Sequence, residues 1–247
     1  MNLDFSNDQK FLQEEARKFL EKENSINRNR GVLDSDHNTD AELWNKIVDL
    51  GWTGIRIPEE YGGLGLTHLE LCVIAEELGR FLAPVPFSSS VYLFTEAIIK
   101  YASEDIKQEI LPKLISGEVI GTLAVTEEFC APTSTNTKTE VNNSLVSGKK
   151  VAVPDAGIAT HSIIVAKSGD GINLQLVNHS SDKVVISHQE NIDESRGHFS
   201  ITLDNAPCKL IGDTLNGWDL FESLMDQAAV LFSFEQLGGY LASDIDN

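Results

Sequence analysis

Leu111-Pro112-Lys113-Leu114-Ile115-Ser116-Gly117-Glu118-Val119-Ile120-Gly121-Thr122-Leu123-Ala124-Val125-Thr126, then Glu127 and Glu128, is the stretch that divides this sequence in two. Up to Ser116 it reads as the end of a helix. Gly117 stops that helix, because a helix commonly closes on a residue with φ > 0 and glycine adopts that conformation without strain. From Val119 onward, small and apolar residues lead into a strand. The chain before the stretch reads as helical, and most of the chain beyond it reads as strands. A seam between two such layers is where ligand sites form.

On the helical side, Ser6 with Gln9 has the spacing of a capping box. Behind it Phe11, Leu12, Ala16, Phe19 and Leu20 recur at helical intervals, which predicts an amphipathic helix over roughly 6–22. The segment from Asn24 to Asn38 is polar and reads as a loop. Thr39 with Glu42 predicts a second cap, leading Leu43, Trp44, Ile47 and Val48 to a stop at Gly51. Pro58-Glu59-Glu60-Tyr61-Gly62-Gly63-Leu64-Gly65 reads as a tight structural turn. A phosphate cradle is the alternative, although no strand-to-helix unit of the P-loop kind surrounds it. Thr67 and Glu70 cap the next helix, and Val91 to Tyr101 and Ser103 to Ser116 give two more. Helices joined by short loops predict a bundle-like unit.

After the seam the apolar period changes to two. Thr137 to Val141 and Leu145 to Val153 read as a hairpin turning at Asn142-Asn143. Ser162 to Lys167 and Ile172 to Val177 read as a second, turning at Gly169-Asp170-Gly171. Lys183 to Ser187 and His198 to Leu203 are further strands, so this part is expected to be an antiparallel barrel or sandwich. A last helix, Trp218 to about Leu241, carries Leu220, Leu224, Ala228, Leu231, Phe234 and Leu237 as one apolar stripe. The fold expectation is therefore α+β, divided as residues 1–118, 119–215 and 216–247.

Composition narrows the functions. Hydrophobic content of 41% and charged content of 23% are those of an ordinary globular chain. No apolar run approaches the roughly 18 to 20 residues that a membrane span needs. Met1 to Asp8 has no secretory pattern, and Cys72, Cys130 and Cys208 are far apart and odd in number. Reduced thiols and a cytoplasmic location are the expectation. The net charge of −19 has no basic block within it, which argues against a nucleic-acid partner. It also opposes anionic ligands such as CoA, which would have to rely on backbone amides and a few local cations. No His, Cys or carboxylate pattern has metal-ligand spacing, and no metal is expected.

The motifs on either side of the seam resemble those of the acyl-CoA dehydrogenase family. Pro58 to Leu66 is similar to its "PeeyGGlGl" motif, which is mainly architectural there. Leu111 to Glu128 is similar to "LPxLxxGexxgxxAxTEp". The resemblance implies FAD as cofactor, with Leu123, Val125 and Thr126 against the flavin and Thr126 hydrogen-bonded to it. Ala152-Val153-Pro154 stands where the family has "WIT", so the indole and the hydroxyl are both missing. The family's substrate-contacting serine has two candidates, Thr133 and Ser134, in the shortened segment Phe129 to Asn136. The implied activity is α,β-dehydrogenation of an acyl-CoA thioester, with an electron-transfer flavoprotein as acceptor and oligomers formed through C-terminal helices. The same resemblance implies that the last helix opens a four-helix domain which usually carries the catalytic base. Where the base instead lies on this helix, the matching position is Ala228, and alanine takes no proton. Glu222 and Glu235 are off that position, so no catalytic residue is expected. The alternatives are a non-catalytic subunit of a heteromeric dehydrogenase and a flavin oxidase or monooxygenase on the same scaffold.

Overall fold

The computed structural model describes residues 4–33, 35, 38–128, 130–169, 171–212 and 216–243. Phe129, Asp170 of the second predicted turn, and the two chain ends lie outside the described residues.

Helix α1 (Asn7–Glu23) begins as its sequence demands, with both halves of the Ser6/Gln9 capping box formed. The segment read as a loop instead contains α2 (Ile26–Leu33), in which only Val32 is buried. Polar contacts hold it: Arg28 forks onto Asp40, and Asn29 donates to the carbonyl of Phe81. Helix α3 (Ala41–Asp49) is capped by Asp40, whose carboxylate accepts from the amide of Leu43, and Thr39 is not the cap. Gly51 then takes a left-handed conformation and ends the segment as expected.

The glycine-rich turn spends its amides on itself. Gly63 donates to Pro58, Leu64 to Gly54, Gly65 to Ile57 and Leu66 to Ile55, which favours the architectural reading over a phosphate cradle. A Cβ on Gly63 would sit 2.0 Å from the carbonyl oxygen of Ile57, so only glycine lets the loop close. Next come α4 (His68–Arg80), a π-helical stretch Ser88–Thr95 that continues into α5 (Glu96–Tyr101), and α6 (Glu104–Ile115).

Seven strands come next: β1 (Gly121–Ala124), β2 (Glu140–Asn142), β3 (Leu145–Pro154), β4 (His161–Ser168), β5 (Gly171–Asn178), β6 (Val184–Gln189) and β7 (His198–Ile211). The order β4-β2-β3-β7-β5 closes through a β4–β5 ladder into a barrel, with β1 added on β4 and β6 on β7. The expectation of an antiparallel barrel holds for most ladders, but β1 and β2 both pair with β4 in parallel. The first hairpin turns at Asn143-Ser144, both with positive φ, one residue later than the sequence suggested. Strand β7 runs on past Leu203, because Asn205 at positive φ bulges the chain without ending the ladder.

Strand β4 is buried on both faces. Ile163 and Val165 pack with the helices, while Ile164 and Ala166 fill the barrel, so the strand reads as a continuous apolar run. Helix α7 (Gly217–Ser243) joins the helical core through Leu224, Ala228 and Leu231. It crosses α4 at glycines on both helices. A Cβ on Gly79 would lie 2.0 Å from the Glu235 carbonyl, and one on Gly238 would lie 1.8 Å from that of Glu76. No described helix is long and apolar enough to cross a membrane. Cys72 and Cys208 are buried free thiols, pushed by burial up to about 11, and Cys130 is an exposed free thiol.

One histidine of the barrel, His179, serves structure. His179 Nδ1 lies 2.7 Å from the carbonyl oxygen of Ala159, which only accepts, so Nδ1 carries the proton and Nε2 accepts from the Ser162 hydroxyl. Burial pushes the imidazole down to about 4. The folded state therefore resists protonation that the unfolded chain takes up near pH 6.5. Stability of about 2–3 kcal/mol, present above pH 6.5, is lost as the pH falls from there to about 4. Urea titrations across that range should show the loss, and the His179→Gln chain should lose less. Equal acid sensitivity in both would refute the assignment.

Candidate functional site

Beyond Ala124 the chain leaves the sheet, and its next three residues are held by a buried ion pair. Lys150 is fully buried on β3, and its Nζ donates to the carbonyl of Val125 (2.9 Å) and to Glu127 Oε1 (2.7 Å). The Glu127 carboxylate also accepts from the amides of Lys138 (2.6 Å) and Thr139 (2.9 Å). Burial alone would raise the Glu127 carboxyl, but Lys150 and the amide of Thr139 outweigh it and hold the group below its ordinary value. Burial pushes the Lys150 ammonium down, against the pull of Glu127. Thr126 lies between the two anchored residues. Its carbonyl accepts from Val151 at 2.8 Å, and its hydroxyl has no partner among the described residues.

Opposite it, β3 slips in register against β7 between Lys150 and Val153. Ala152 falls in this bulge at φ 51° with its methyl exposed, and its amide donates at 2.7 Å to Gln189 Oε1 at the end of β6. The result is a cleft of about 520 Å³, within the size range of small-molecule sites, whose walls include Thr126, Val151, Ala152, Gln189, Asn191 and His198. A larger cleft of about 810 Å³ shares the last three residues and extends toward Arg196 and α2.

Of the residues singled out in the sequence, Thr126 and Ala152 meet in this cleft. Leu123 and Val153 are buried in the two cores, Pro154 is half-buried with its carbonyl bonded by Thr122, and Val125 packs against the helical core. Thr133 and Ser134 lie in an exposed turn closed by mutual bonds between Thr133 and Asn136, and neither lines the cleft. Gln189, Asn191 and His198 were not expected at the site from the sequence. They belong to no motif and reach the cleft only through the pairing of β6 with β7. No group of three or more His, Cys, Asp or Glu able to hold a metal ion exists among the described residues.

Val151 and Ala152 set apolar groups beside a free hydroxyl, and Glu128, Glu190, Asn191 and His198 make much of the rest of the lining polar. The family model for the acyl-CoA dehydrogenase N-terminal domain matches residues 6–118. Residues 6–118 are an acyl-CoA dehydrogenase N-terminal domain. The chain is 30% identical over 173 residues to the acryloyl-CoA reductase (NADH) of Anaerotignum propionicum, a match covering 67% of this chain and 43% of that one. Among solved structures, a variant of the Tcur3481–Tcur3483 steroid ACAD superposes with a TM-score of 0.81 at 27% identity, covering 94% of this chain and 63% of that one. The Mycobacterium smegmatis glutaryl-CoA dehydrogenase in complex with FADH2 has the same fold, with a TM-score of 0.84 at 22% identity and coverage of 95% and 62%. The chain spans less than half the length of the first curated relatives it matches. Within the acyl-CoA dehydrogenase fold, the cleft lies on the barrel, and the larger cleft beside it reaches the helical side at Leu33.

Proposed function

We propose that this chain forms the flavin-facing part of an FAD-dependent enzyme that takes a proton and a hydride from adjacent carbons of an acyl-CoA thioester. The observation that carries this reading is the unpartnered Thr126 hydroxyl at the cleft of Val151 and Ala152. Bound FAD would accept the hydride. Thr126 donates a hydrogen bond to the ring, and Val151 and Ala152 pack against it. Leu123, Val125, Val153 and Pro154 support that wall from behind. Thr133 and Ser134, in the exposed turn outside the cleft lining, are the proposed substrate contacts. Residues 1–118, 119–215 and 216–247 act as the three units of this arrangement, and an electron-transfer flavoprotein is the proposed acceptor.

The α-proton needs a base, and three positions on the last helix do not supply one. Ala228 is buried with only a methyl group, Glu222 is exposed and accepts from the Trp218 indole, and Glu235 is tied to the Tyr92 hydroxyl at 2.9 Å. That favours, as a second reading, a subunit that binds flavin beside a partner chain carrying the base.

The test is an absorbance spectrum of the purified chain after mixing with FAD and gel filtration. Flavin bands at about 370 and 450 nm should travel with the protein. Thr126→Val should weaken FAD binding by about tenfold, the loss expected of one hydrogen bond. A colourless protein, or unchanged affinity in the valine variant, would sink the reading.

A further inference from the structure

We propose that Gln189 is a flavin-contacting residue, supplying from β6 the hydrogen bond that Ala152-Val153-Pro154 on β3 does not. This rests on the flavin reading of the cleft. Three observations meet at this side chain. The Ala152 amide is released from the β3–β7 ladder by the register slip and is taken up by Gln189 Oε1, so the carboxamide is fixed in place. Its Nε2 has no partner among the described residues, although the residue is half-buried and lines the cleft with Thr126. Of residues 151–154 only Val151 and Ala152 line the cleft, and they offer a ring packing but no side-chain donor. A half-buried carboxamide with one end satisfied and the other free has two N–H donors left for a ligand. Carbonyl and ring-nitrogen acceptors on the polar edge of a flavin are the groups those donors would meet.

Glutamate at position 189 separates this role from a structural one. Gln189→Glu keeps an oxygen for the Ala152 amide and removes both donors, whereas Gln189→Ala removes both functions. The measurements are FAD affinity by titration, the position of the band at about 450 nm in bound FAD, and thermal melting without FAD. We expect Gln189→Glu to melt close to the parent chain, bind FAD at least about tenfold more weakly, and shift the visible band. Gln189→Ala should lose both stability and affinity. If the parent chain binds FAD and Gln189→Glu binds within about twofold of it with an unshifted band, the assignment is overturned and the flavin reading stands. If the parent chain itself retains no FAD, both fall together.

Discussion

Replacing Lys150 by methionine should lower the unfolding free energy by about 3–5 kcal/mol, the cost of leaving a buried charge without its partner. The geometry argues for the upper part of that range. Lys150 is fully buried, and its ammonium holds both the Glu127 carboxylate and the carbonyl of Val125. Removing it strips two acceptors at once. The Lys138 and Thr139 amides remain on Glu127 and limit the damage. The double variant Lys150→Met/Glu127→Gln should recover a large share, since replacing both members of a buried pair costs far less than breaking it. Urea denaturation of the single and double variants measures this. If the double variant were as unstable as the sum of the singles, the pair would not be coupled. Because Val125 and Glu127 flank Thr126, Lys150→Met should also loosen the cleft, and a loss of FAD affinity at unchanged temperature would show it.

The second large effect concerns two adjacent glycines on α7 that should respond in opposite directions. Gly238→Ala places a Cβ 1.8 Å from the Glu76 carbonyl oxygen and 2.8 Å from the Arg80 amide, both backbone atoms that have no rotamer to relieve the clash. The helices must separate, and overpacking against fixed backbone should cost about 3 kcal/mol. Gly239→Ala meets nothing closer than the Gly79 carbonyl at 3.6 Å, an ordinary contact. There the helix propensity of alanine should add about 0.5–1 kcal/mol of stability. Melting temperatures of the two chains, measured side by side, decide it. A neutral Gly238→Ala would mean that α7 is not seated against α4 at these glycines.

How far the sequence reveals this structure depends on whether an interaction leaves a periodic trace. Helix α1, the cap at Thr67 and the strands of both hairpins were legible because apolar spacing and capping chemistry repeat along the chain. Helix α2 was not. Ile26–Leu33 buries only Val32, and its seat depends on Arg28 reaching Asp40 and Asn29 reaching Phe81, contacts that carry no period. The same contrast divides the candidate site. Thr126 could be named from its motif, and the structure gives it an anchored backbone and a free hydroxyl. Gln189 could not, because its place depends on a bulge in β3 and on the register of β6 against β7. A one-residue slip in either would send its side chain to the other face.

Strand β4 gives one side chain in two to each hydrophobic core, Ile163 and Val165 to the helices and Ile164 and Ala166 to the barrel. The two cores therefore share a wall, and neither can melt without exposing the other's lining. Such a chain behaves thermodynamically as one body despite its two architectures. In a calorimeter it should give a single heat-absorption peak, and the cleft should persist until the whole molecule unfolds.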